Sequence, residues 1–158
     1  MAFGPDILKI DVERETERVV SFLREQVKTV YRRNGIVVGL SGGIDSAVMA
    51  ELAVRAFGAQ AVVGLILPER ESNPVSSSYA KAHAEKMGVA YREVDVTATV
   101  AGVMAYELRD DYIRTLVPEY APDCRYNISL PTDLLERESF SFYVLQVQLA
   151  DGTIRRKR

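Results

Sequence analysis

Residues 41–46 read Ser-Gly-Gly-Ile-Asp-Ser, a turn that joins two glycines to two hydroxyls and a carboxylate. Glycine lets backbone N–H groups converge on oxygen atoms with no Cβ in the way, and a helix beginning there adds partial positive charge. Ser41, Gly42, Gly43 and Ser46 would then supply backbone and hydroxyl donors to a phosphate. Asp45 is the odd member, because phosphates repel a carboxylate unless a cation lies between them. Its presence points to Mg²⁺ bridging Asp45 to the phosphates. Two other phosphate loops are excluded: no lysine followed by Ser or Thr comes after the glycines, and the spacing is not G-x-G-x-x-G. The plainer alternative is a tight strand-to-helix turn in which Asp45 or Ser46 caps the helix.

The elements on either side must hold that turn in place. Before it, 10–33 has Val12, Val19, Val20, Leu23, Val27, Val30 and Tyr31 at helical spacing, and Asn34-Gly35 as a stop. "IVVGL" (36–40) lacks alternation, as a strand buried on both faces does. Residues 45–58 form a helix ending at Gly58, and "AVVGLIL" (61–67) a second buried strand closed by Pro68. A polar loop is predicted over 69–78, a helix over 78–88 stopped by Gly88, and a strand over 90–96. Thr97 or Thr99 would cap a helix reaching about Val117. Strands alternating with helical crossovers call for a parallel sheet covered on both faces, a doubly wound α/β fold.

The last third differs. "RYNISLP" (125–131) and 139–158 are strand-like, and Asp151-Gly152 signals a β-hairpin. Only three parallel strands are accounted for, where such folds have five or more. The implied α/β fold is incomplete, a fragment or one half of a larger domain, with a hairpin-like end. The composition is otherwise that of one ordinary globular domain: 158 residues, 47% hydrophobic, 27% charged, formal net charge −2. Nothing in that balance draws the chain to nucleic acid or an anionic membrane. No apolar run approaches transmembrane length, and the N-terminus turns acidic too early for a secretory signal. The one cysteine fits a reducing cytoplasm.

"GLSGGIDS" (39–46) resembles the PP-loop of the N-type ATP pyrophosphatases, which split ATP between its α and β phosphates to adenylate a substrate. The enclosing "GLSGGIDSAVMAELAVRAFG", followed by "VVGLILP" and a serine-rich loop running into a helix, is most similar to ammonia-dependent NAD synthetase. The likeness covers about residues 10–100. It implies an adenine nucleotide alpha-hydrolase-like fold and a homodimer, with ATP and Mg²⁺ held by Gly39, Leu40, Ser41, Gly42, Gly43, Ile44, Asp45 and Ser46. It sets adenine against Leu67 and Pro68, and makes Arg70, Ser76 and Ser77 possible nucleotide contacts. Asp45 would be the metal ligand. The implied reaction adenylates the nicotinate carboxylate of deamido-NAD, releases pyrophosphate into the glycine loop, and lets ammonia displace AMP. No side-chain nucleophile is required. Beyond residue 100 this sequence departs from the family, lacking its arginine- and asparagine-rich segment and a "GTGN"-like strand and loop.

On this reading 1–34 is an N-terminal helix, 35–118 the PP-loop core, and 119–158 a strand-rich insertion or truncated end. His83, without a carboxylate partner in sequence, is read as structural. Cys124 would need a further domain to act as a glutaminase nucleophile. "RRKR" at 155–158 reads as an interrupted strand or chain end rather than an RNA-binding patch. Two rivals remain: another PP-loop enzyme, such as a GMP synthetase or a tRNA-modifying enzyme, and a nucleotide-binding fragment with no turnover.

Overall fold

The computed structural model describes residues 9–130 and 143–157. The chain divides into two compact units, 1–98 and 99–158. The first unit opens with α1 (Val12–Arg24), whose N-cap Asp11 accepts the Arg14 N–H at 3.1 Å. The path expected for 10–33 continues, but Glu25–Val30 widens into a π-helix and Arg32 takes φ 51°. A left-handed arginine thus turns the chain before Asn34-Gly35. Arg24 reaches across to α2 (Ile44–Phe57), donating from Nε and Nη2 to the carbonyls of Ala56 and Arg55, each at 2.8 Å. A cation on the last carbonyls of a helix satisfies orphan acceptors and opposes the helix dipole.

Strands β1 (Ile36–Gly39), β2 (Val62–Ile66) and β3 (Ala90–Glu93) form a parallel sheet in that order, with Val38 opposite Gly64 and Gly64 opposite Tyr91. The ladder runs on past the strands through Leu40 N–H to Leu65 O, Val94 N–H to Ile66 O and Val96 N–H to Pro68 O. Val38, Leu40, Val62 and Ile66 face one way and meet Ala50 and Ala53 of α2 and Ala80 and Ala84 of α3 (Pro74–Met87). Alanine at these positions lets both helices lie close on the strands. Lys81 of α3 pairs with Glu93 of β3 at 2.7 Å, a hydrogen bond that holds its ammonium above the ordinary lysine range.

The α/β class and the parallel sheet are as expected; among the described residues of this unit the sheet is covered on one face only. Val37 and Val63, on the opposite face, are 65% and 42% exposed. The reason is topological: successive crossovers running in one direction place both helices on the same side. The polar loop is also shorter than expected, because α3 begins at Pro74 rather than residue 78. Asn73 caps it, accepting the Val75 N–H at 3.0 Å, and proline occupies the first helical position, where no N–H is needed. At the other end Gly88 is left-handed, φ 69°, as its stop role requires.

The single helix expected over 97–117 is two, α4 (Thr97–Gly102) and α5 (Ala105–Leu116), broken where Met104 takes φ 57°. Thr97 lies inside α4 rather than capping it. In the second unit an antiparallel sheet runs β4 (Arg125–Ser129), β5 (Val144–Gln148), β6 (Ile154–Lys157). Asp151-Gly152 makes the β5–β6 turn, with Gly152 at φ 85° and the Asp151 carboxylate accepting the Thr153 N–H. Ile113 and Val117 from the α5 end pack with Tyr120, Leu145 and Val147 to form a separate core. The strand-like residues 139–142 lie outside the described residues.

The close passage of β1 past β2 gives a test. A Cβ at Gly35 would sit 2.3 Å from the Ala61 carbonyl oxygen, whereas one at Gly39 would meet nothing within 4 Å. Gly35→Ala is expected to lose about 1–3 kcal/mol in urea denaturation, and Gly39→Ala to change by less than about 0.5 kcal/mol.

Candidate functional site

Ligands of open parallel sheets bind beyond the carboxyl ends of the strands. Here those ends release residues 40–43, 67–73 and 94–96, and the glycine turn lies between β1 and α2. Two serines lace it. The Ser46 hydroxyl accepts from the Ser41 N–H at 3.2 Å and from the Ser41 hydroxyl at 3.1 Å, and donates to the Gly43 carbonyl at 2.9 Å. Ser41 Oγ in turn accepts the Gly43 N–H at 3.3 Å.

Gly42 is required twice over. It has φ +77°, and a Cβ there would lie 2.2 Å from the carbonyl oxygen of Ser76 in the first turn of α3. The loop is thus pressed against a second helix start. The turn-and-cap alternative for Asp45 and Ser46 does not describe what forms. Gly43 is the N-cap of α2 and brings no side-chain oxygen, Asp45 is exposed in the first turn, and Ser46 is spent on the loop. Helices α1 and α3 are capped by side chains; α2 opens with its first amides uncapped beside a glycine loop. That is an anion-binding arrangement.

Two clefts flank the loop. The first, about 200 Å³, is lined by the apolar Leu40, Leu67 and Pro68 and by the polar Asn73, Ser76 and Ser77. The second, about 280 Å³, takes Gly42, Gly43, Ile44 and Ser46 together with Tyr79 and His83. Of the nucleotide contacts expected from sequence, the clefts bring together Leu40, Ser41, Gly42, Gly43, Ile44, Ser46, Leu67, Pro68, Ser76 and Ser77. Gly39, Asp45 and Arg70 line neither. Gly39 ends β1 on the open face of the sheet, and Arg70 has its guanidinium 3.6 Å from Glu71. Leu40, 5% exposed, contributes mainly packing, since a Cβ at Gly64 would lie 2.6 Å from its Cδ1.

Sequence reasoning passed over Ser72, Asn73 and Tyr79. The Asn73-Pro74 pair is a cap followed by a first-turn proline, and that signal alone would have started α3 early enough to place them. Tyr79 is exposed beside the loop. His83 lines the second cleft, and its Nε2 lies 3.4 Å from the Ala47 carbonyl, a contact between α3 and α2. Cys124, in the second unit, accepts the Ala121 N–H at 3.3 Å and packs against that unit's core.

Asp45 is suited to a hard cation shared with phosphates, a setting in which Mg²⁺ takes one or two carboxylates and fills its shell from phosphate and water. Among the described residues no group of three or more His, Cys, Asp or Glu side chains gathers as a metal cage. Among the described residues, no helix is long and apolar enough to cross a membrane.

Comparison with known proteins bears on this geometry. The family model described as NAD synthase matches residues 15–121. The NH(3)-dependent NAD(+) synthetase of Rhizobium rhizogenes is 38% identical over 159 residues, 99% of this chain and 47% of that protein. Its counterpart in Rhizobium meliloti is 40% identical over 152 residues, 96% of this chain and 45% of that protein. The chain spans about half the length of the curated relatives it matches. Among solved structures, the NH3-dependent NAD synthetase of Campylobacter jejuni superposes with a TM-score of 0.56 at 26% identity, covering 70% of this chain and 52% of that one.

The serine lacing predicts a local effect. In Ser46→Ala the Ser41 amide loses its acceptor, and its hydrogen exchange is expected to quicken about fivefold, the worth of one modest hydrogen bond. An unchanged Ser41 rate would show that the hydroxyl does not hold the loop closed.

Proposed function

The chain belongs to the NAD synthase family, and from that premise we propose that it builds the ATP-binding part of an ATP-dependent ligase that converts deamido-NAD to NAD with ammonia. The observation that carries the reading is the uncapped start of α2 beside a glycine loop held against α3. The first cleft takes the adenosine, with the base along Leu67 and Pro68. The triphosphate then runs toward Gly42, Gly43 and the first amides of α2. The nicotinate carboxylate attacks the α-phosphorus, the bond to the bridging oxygen breaks, and pyrophosphate leaves with its electron pair. Ammonia next attacks the acyl carbon; AMP departs and a proton is lost to solvent, leaving the amide.

Charge accumulates on the departing pyrophosphate, so the protein's contribution is donors fixed where that charge develops. The backbone N–H groups of the loop and the α2 dipole meet this need without rearrangement, because the serine bonds already hold the turn. Mg²⁺, when bound, neutralises part of the phosphate charge, and Asp45 is the residue that would hold it. No general base is demanded, since a carboxylate is already a nucleophile at neutral pH. This agrees with His83 being engaged between helices. We further propose a cytoplasmic homodimer, supported by the exposed apolar side chains of Val12, Phe22 and Tyr31 on and after α1.

The test is pyrophosphate release from ATP. It is expected to require both deamido-NAD and Mg²⁺, with NAD formed only when ammonia is present. Release with another acid acceptor and none with deamido-NAD would overturn the substrate. ATP bound in calorimetry without any release would favour a binding module. In Asp45→Ala the Mg²⁺ dependence of ATP binding is expected to disappear; a dependence like that of the parent chain would place the metal elsewhere.

A further inference from the structure

The cap of α3 does more than start a helix. Asn73 Oδ1 accepts the Val75 N–H at 3.0 Å, and an N–H can face only the oxygen of a carboxamide. The bond therefore fixes which way the amide is turned. Pro74, next in the chain, has a locked φ and no N–H of its own, which stiffens the cap further. With Oδ1 committed, the two N–H donors on Nδ2 remain, and among the described residues they have no protein acceptor. Asn73 lines the first cleft.

Ser76 and Ser77 add hydroxyls to the same cleft, groups that can donate or accept, whereas the Asn73 nitrogen can only donate. The Ser72 hydroxyl is used within its own turn, accepting the Glu69 N–H at 3.1 Å and facing Glu69 Oε1 at 3.5 Å. The cleft is also lined by Leu40, Ile66, Leu67 and Pro68, apolar surfaces suited to the flat face of a base. A cleft with apolar walls and a fixed donor pair at its rim matches a purine, whose ring nitrogens are acceptors. A pyrimidine base is smaller and presents fewer of them.

We propose that Asn73 is a specificity-determining residue that reads the purine of the nucleotide in the first cleft, donating through its carboxamide nitrogen to a ring nitrogen. This rests on the reading that the cleft takes ATP. Asn73 is a binding residue and takes no part in the chemical steps. Its cap oxygen and its donor pair do separate tasks, which allows the two to be tested apart.

Asn73→Asp keeps an oxygen able to cap α3, since aspartate caps as well as asparagine, and removes both donors. Calorimetry of the parent chain and of Asn73→Asp is run with ATP and with its 1-deaza, 3-deaza and 7-deaza analogues. In the parent chain one analogue is expected to bind about tenfold more weakly than ATP, the worth of a well-placed hydrogen bond. In Asn73→Asp the thermal midpoint stays near that of the parent, and the ratio between ATP and that analogue falls to about one. Comparing ratios cancels any repulsion between the new carboxylate and the phosphates, which acts on ATP and analogue alike. Equal discrimination by Asn73→Asp and the parent, or none by the parent, overturns the assignment of Asn73. A parent chain that binds no ATP overturns the nucleotide reading itself, and the assignment with it.

Discussion

The structure of the site depends on how closely the chain at Gly42 passes the first turn of α3. A side chain there would need its Cβ 2.2 Å from the Ser76 carbonyl oxygen, a distance that forbids any residue but glycine without moving backbone. Gly42 lines the second cleft and Ser76 the first, so the contact joins a residue of each. It also brings the starts of α2 and α3 together on one edge of the sheet. A positive φ at the same residue makes the requirement conformational as well as steric. The serine bonds inside the loop close the turn that this contact has positioned.

That approach is possible only because of what lies beneath it. Ala50 and Ala53 on α2 and Ala80 and Ala84 on α3 are nearly or fully buried, so neither helix is held off the strands by a large side chain. Gly64 in the middle strand leaves room for Leu40, the residue that leads from β1 into the loop. Arg24 holds the far end of α2 by its last carbonyls, and His83 ties its first turns to α3. The core and the candidate site are therefore one arrangement: small residues set the helix spacing, and the spacing sets the glycine loop. The second unit has its own core around Val117 and Val147.

Much of this was legible because the signals were local. Glycine and hydroxyl residues after a β-branched run mark the loop from β1 into α2, and Gly58, Gly88 and Asp151-Gly152 all mark real ends or turns. What escaped depends on tertiary context. Val37 and Val63 read as buried because the run carries no alternation, yet they are 65% and 42% exposed, and local pattern does not encode which face of a sheet its crossovers cover. The left-handed Arg32 and Met104 break helices with residues that carry no breaker signal. Arg70 entered through the likeness of its loop to the family, and its guanidinium lies 3.6 Å from Glu71. Asn73 was passed over because the serines after it looked like loop, when Asn-Pro in fact begins a helix.

The central claim is that the Gly42 contact shapes a nucleotide-binding loop, and Gly42→Ala tests it most directly. Calorimetry with ATP and Mg²⁺ on this variant and the parent chain, both shown by circular dichroism to unfold cooperatively, gives the answer. Displacing the loop by the length of one methyl group is expected to weaken ATP binding by at least about tenfold, since left-handed strain alone costs about 1–2 kcal/mol. A folded Gly42→Ala protein that binds ATP as tightly as the parent would contradict the account.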